Sequence, residues 1–152
     1  MAMQVKKRKS GIPTGNAGEY FVMGELLRRG FDAQLADRNT NGYDLLVGTA
    51  QDPSLRRVQV KTVRSGAWYV KQADFTGERG NQVTVYVLLG AEDDAKPVRY
   101  FIARNSVVAK CVHVPKTGWQ QNGFINLKYL LAYEGKWETL LSREGHRQDR
   151  VT

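Results

Sequence analysis

The chain has 152 residues, 41 % of them hydrophobic, enough for one domain with a true core. Its 23 Lys and Arg against 15 Asp and Glu leave a formal charge of +8, a balance that points to a polyanionic partner. A single cysteine, Cys111, excludes an intrachain disulfide, and no apolar run approaches the ~20 residues of a membrane span, so the sequence reads as cytoplasmic with no membrane partner.

Residues 1–12 read as a basic, flexible leader. Lys6, Lys7, Arg8 and Lys9 have no apolar stretch behind them, which argues against a secretory signal and for phosphate contact. Residues 13–143 read as the folded domain and 144–152 as a flexible tail. The domain opens with a helix through "GNAGEYFVMGELLRRG", capped by Thr14 or Asn16 and stopped by Gly30. Ala17, Tyr20, Phe21, Gly24 and Leu27 form one broad stripe, which Val22, Met23 and Leu26 extend. Glu19 falls in the sector of Met23 and Leu26 and needs a partner there, whereas Glu25 sits beside Arg28 and Arg29.

Strands follow over "FDAQLAD", "YDLLVG" and "RRVQVKTV", the last two joined by the turn "AQDPSL". "AWYVKQ" reads as a fourth strand before a polar loop. "VTVYVLLG", the most apolar run, reads as a central strand joined to "VRYFIAR" through the hairpin loop "AEDDAKP". Asn105 or Ser106 is placed to cap a short helix over "VVAKCV", and "LKYLLAYEGKWETLL" reads mostly as helix, with Gly135 its weak point. The order predicts a mixed α/β domain without internal repeats.

Alternation puts Asp44 on one face of its strand with Leu46, and Gln59 and Lys61 on one face of the next, opposite Val58 and Val60. If the two strands are neighbours, a carboxylate, an amide oxygen and an ammonium meet. Such a group suits a divalent cation and a phosphate, with Glu19 as a second acid from the helix. A plain Asp44–Lys61 salt bridge at a strand edge, with Gln59 facing solvent, fits the same pattern.

"GEYFVMGELLRRGF", then "GYDLLV", then "VQVKT" resembles the PD-(D/E)XK nuclease superfamily, most of all its small Holliday-junction-resolvase-like and intron-homing members. The resemblance covers about the first half of the chain. It implies a restriction-endonuclease-like α/β core: a helix, a three-strand meander, a further helix and another strand, in a mixed central sheet flanked by helices. It implies a metal-dependent DNA endonuclease, with Asp44, Gln59, Lys61 and Glu19 catalytic. Glu19, Asp44, the Gln59 amide oxygen and the Val60 carbonyl would surround Mg²⁺, for which Mn²⁺ substitutes, and Lys61 would position the hydrolytic water. Products with a 5′ phosphate and a homodimer that cuts both strands also follow from it. Gln59 stands where the family commonly has an acid. That Q-x-K form occurs in members that cut DNA, and it equally suits an inactive nuclease-fold module that only binds DNA or assembles.

Arg56, Arg57 and Arg64 flank the proposed site and suit phosphate contacts. Trp68 and Tyr69 are adjacent on an extended segment, so at most one of them faces a nucleic acid. Cys111, His113 and His146 are too few and too scattered for a zinc site, and Trp119 and Trp137 read as packing residues.

Overall fold

The computed structural model describes residues 11–37, 39–40, 42–115 and 122–141. The leader, Lys6 to Lys9 included, Trp119 and His146 lie outside them, as does the tail. The chain opens with helix α1 (Ile12–Arg28). Strands β1 (Asp32–Leu35), β2 (Leu45–Gly48) and β3 (Arg56–Val63) then form an antiparallel meander. Strand β5 (Val83–Leu88) pairs parallel to β3, and β6 (Arg99–Arg104) closes the five-stranded mixed sheet in the order β1-β2-β3-β5-β6. Between β3 and β5, strand β4 (Trp68–Lys71) leaves the main sheet and pairs with β7 (Asn122–Ile125), which the sequence reading had missed.

Alternation along the strands builds two cores, one on each face. Val58 on β3, Val83, Val85 and Val87 on β5 and Ile102 on β6 pack with Val22 and Leu26 of α1. Tyr86, Phe101 and Ala103 face the other way and pack with Trp68 and Val70 of β4, Ile125 of β7 and Leu130. Apolar residues on both faces explain why "VTVYVLLG" reads as a continuous run: this strand is covered on both sides. Trp68 is fully buried and donates its indole N–H to the Val87 carbonyl at 3.2 Å, while Tyr69 is 72 % exposed.

Helix α1 begins at Ile12, two residues before Thr14 and four before Asn16, the expected caps. Pro13 occupies its first turn, where a missing N–H costs nothing, and no side chain caps it. Its buried line is Gly18, Val22 and Leu26, and the expected stripe is turned away: Tyr20, Phe21 and Leu27 are exposed. Gly18 decides the rotation. A Cβ there would lie 2.7 Å from Thr62 Cβ, so only glycine lets the helix sit this close to β3. The stop at Gly30 is as expected, with φ at +87°.

Two further expectations fail for local reasons. A parallel β3/β5 pair requires a long crossover, but β4 and two 3₁₀ turns, Gln72–Phe75 and Gly77–Asn81, take the place of the implied second helix. The segment "LKYLLAYEGKWETLL" forms 3₁₀ turns at Leu127–Tyr129, Leu131–Tyr133 and Trp137–Leu141 instead of a helix. Gly135 takes φ +68° and its N–H goes to the Tyr100 carbonyl, so this stretch bonds to the edge of β6 rather than to itself. The short helix after β6, α2 (Asn105–Val108), forms without a side-chain cap because Asn105 is used elsewhere.

Candidate active site

The register of β2 on β3 runs from Val47↔Arg56 to Leu45↔Val58, after which β3 continues with β5 as its strand neighbour. Asp44 stands one step beyond the last pair, and its Oδ2 accepts the Val60 N–H at 2.8 Å. The carboxylate thus takes the place of the next backbone acceptor at the point where the strands part. Within a strand, a residue's N–H and C=O leave by the same edge, so the Val60 carbonyl is aimed at Asp44's side as well.

Glu19 reaches this opening from α1. It and Asp44 line one cavity of about 180 Å³ together with Asn16, Tyr20, Leu35 and Asp37. The helix turn that buries Gly18 against Thr62 also points the neighbouring Glu19 toward the end of β2. Among the described residues, no three His, Cys, Asp or Glu side chains form a metal-binding group. A cation here would therefore rely on two carboxylates helped by neutral oxygens. The donor set is all oxygen, which fits Mg²⁺ and not a soft metal.

Gln59 and Lys61 project from the sheet face opposite α1. They alternate with Val58 and Val60, which pack on the α1 side, and stand in line with Val63, which packs in the other core. Lys61 Nζ forms an ion pair with Asp74 Oδ2 at 3.2 Å, not with Asp44. Asp74 is 4 % exposed, also accepts the Lys71 N–H at 2.8 Å, and has Arg79 Nη1 4.0 Å from its other oxygen. Tyr86 pairs with Lys61 across the strands, and burial, reinforced by Asp74, drives its hydroxyl pKa far above the ordinary value.

Asn105 holds the two 3₁₀ turns in place. Its amide donates to the Asp74 carbonyl at 2.7 Å and the Arg79 carbonyl at 2.9 Å, while its oxygen accepts the Thr84 hydroxyl at 2.6 Å. Sequence reading missed Asp74, Arg79 and Asn105 as site residues. "QADFTGERG" reads as an ordinary polar loop, and only its docking on the sheet buries the acid beneath Lys61.

The expected phosphate contacts separate in space. Arg57 is exposed and stacks over the Tyr43 ring with 5.0 Å to its centroid. Arg56 is largely buried and tied to Asp52 at 3.2 Å. Arg64 turns inward, donating to Thr14 Oγ1 at 3.2 Å and the Gly90 carbonyl at 3.1 Å, so it anchors the start of α1.

Neither a protein-family model nor a curated protein sequence matches the chain. Among solved structures, I-Ssp6803I, a bacterial homing endonuclease, superposes with a TM-score of 0.55 at 15 % identity, covering 93 % of this chain and 99 % of that one. The chain shares the restriction-endonuclease-like fold of that enzyme. Hjc, a Holliday junction resolvase from Archaeoglobus fulgidus, superposes with a TM-score of 0.45 at 14 % identity, over 73 % of this chain and 89 % of its own. At 93 % coverage the restriction-endonuclease-like architecture extends well beyond the first half of the chain, where the motifs lie.

Proposed function

We propose that the protein is a metal-dependent endonuclease that hydrolyses phosphodiester bonds in DNA. The observation that carries this reading is Asp44 seated on the Val60 amide of β3, with Glu19 of α1 lining the same cavity. Glu19, Asp44 and the Val60 carbonyl would hold Mg²⁺, which when bound supplies a Lewis acid and lowers the pKa of a water; the Gln59 amide oxygen, leaving β3 on the face opposite α1, would join them only around the open edge of that strand. Asp44 sets the position of the acidic pair through its bond to β3. Lys61, kept at a defined place by Asp74, orients the attacking water or offsets charge on the phosphate. Lys6 to Lys9 and Arg57 add phosphate contacts, and a homodimer would supply the second site for a second strand.

Purified protein incubated with supercoiled, linear and four-way-junction DNA should nick or cut in Mg²⁺ or Mn²⁺ and not in EDTA, leaving 5′ phosphates. Asp44→Asn should abolish cleavage and retain binding. DNA left intact in every case would favour the second reading, a non-catalytic DNA-binding module of the same fold. Gln59 in place of an acid, and the ion pair of Lys61 with Asp74 on the sheet face opposite α1, are the observations behind that reading.

A further inference from the structure

A cavity of about 790 Å³ lies at the start of β3 and β5, lined by Tyr43 and Val58, the chain neighbours of Asp44 and Gln59. Four arginines line it: Arg56 and Arg57 from β3, Arg79 from the second 3₁₀ turn and Arg104 at the end of β6. Glu78 is the one carboxylate among its lining residues. Converging guanidinium groups repel one another, and a fold accepts that cost most readily where an anion offsets it. Arg56 makes the point sharply: one terminal nitrogen reaches Asp52, but Nε and Nη1 are buried with no hydrogen-bond partner among the described residues. Buried donors of that kind normally have an acceptor.

The neighbours of the cavity indicate which anion. Tyr43 and Val58, both in its lining, directly adjoin Asp44 and Gln59 in the chain. Arg79 lies close to Asp74, the partner of Lys61. Gly42 keeps the wall open: a Cβ there would lie 2.6 Å from Arg79 Cζ, and its φ of +88° is one that glycine alone adopts freely. The volume exceeds the needs of one small anion and matches a nucleotide-sized ligand.

We propose that this cavity seats the phosphates of the nucleic-acid strand next to the scissile bond, with Arg56, Arg57, Arg79 and Arg104 as its phosphate-binding groups. The assignment rests on the nuclease reading, which supplies the strand. It makes the cavity a second, non-catalytic contact that fixes the register of the strand at Asp44.

The test measures binding separately from cleavage. Anisotropy titrations of a labelled duplex, in EDTA and over a series of NaCl concentrations, compare wild type with Arg56→Gln/Arg57→Gln and with Arg28→Gln/Arg29→Gln, which removes equal charge from the end of α1. The pocket variant should bind at least about tenfold more weakly, with a salt slope shallower by about two, while the α1 variant stays within about twofold of wild type. Arg57→Gln alone, at an exposed position, should show the same direction if the double variant melts early. Equal losses in the two double variants would overturn the pocket, whatever the cleavage assays give. Loss of cleavage as a property of wild type, with the binding difference intact, would instead remove the nuclease reading and leave a strand-binding pocket. Calorimetric titration with pyrophosphate and with a nucleoside triphosphate covers the remaining source. Arginine-dependent binding of either one, with DNA affinity unchanged in the variant, would assign the cavity to a free nucleotide and overturn the strand assignment.

Discussion

Lys61 and Asp74 form an ion pair in which the acid is almost wholly buried and the base is half-buried on the sheet face opposite α1. Removing Lys61 alone would strand a buried carboxylate with Arg79, 4.0 Å away, as its neighbouring cation. Lys61→Ala should therefore lose cleavage and also cost about 3 kcal/mol of stability. The paired change Lys61→Met/Asp74→Asn should recover most of that stability and remain inactive. Asp74→Asn alone should slow single-turnover cleavage at least tenfold, with DNA affinity unchanged within about twofold, because it loosens the lysine without touching DNA. Thermal melting with single-turnover assays separates these outcomes; wild-type cleavage by Asp74→Asn would reduce Asp74 to a structural counter-ion.

The acidic cavity makes a prediction about cation affinity. Asp44→Asn keeps an oxygen that accepts the Val60 N–H, so the fold should stand while Mg²⁺ binding weakens. Gln59→Glu adds a carboxylate and should tighten Mg²⁺ several-fold by calorimetry. Unchanged affinity in Gln59→Glu would mean that residue 59 is not a ligand.

Helix α1 is positioned by the fit of Gly18 against Thr62. Alanine has the better helix propensity by about 1 kcal/mol, yet its Cβ would lie 2.7 Å from Thr62 Cβ, an atom that no side-chain rotation moves. Gly18→Ala should destabilise the protein by about 1–3 kcal/mol in denaturant unfolding. Because Glu19 is the next residue, it should also weaken Mg²⁺ binding. A stabilised Gly18→Ala would show that helix and strand are further apart than described.

Arg99 and Glu134 clamp the C-terminal segment to β6 through two hydrogen bonds, 2.8 and 2.7 Å long. The guanidinium holds the Glu134 carboxyl below its ordinary pKa. A depressed folded-state pKa means the contribution is present above the unfolded value and is lost as pH falls through the folded one. Both groups are well exposed, so the effect should stay below about 1 kcal/mol. Melting temperature followed from pH ~6 down to ~3 should fall less steeply in Glu134→Gln than in wild type.

Local chemistry made much of this protein legible in its sequence. The period-two pattern of "RRVQVKTV" and the continuous apolar run "VTVYVLLG" determined β3 and the central β5, Gly30 determined the end of α1, and the motif resemblance around Asp44, Gln59 and Lys61 pointed to the restriction-endonuclease-like fold that the chain has. These signals lie within one element or between chain neighbours, where side-chain alternation and backbone preference act directly. Tertiary structure decided the rest. The rotation of α1 came from a glycine facing Thr62, residues far apart in the chain, so the helical wheel alone selected the wrong stripe. The last segment became turns because its backbone donors met the edge of β6, and Lys61 met Asp74 only because Asn105 pins a polar loop onto the sheet. Each outcome depends on burial and on partners supplied across the fold, and pairing energies between distant residues leave no periodic trace in the sequence.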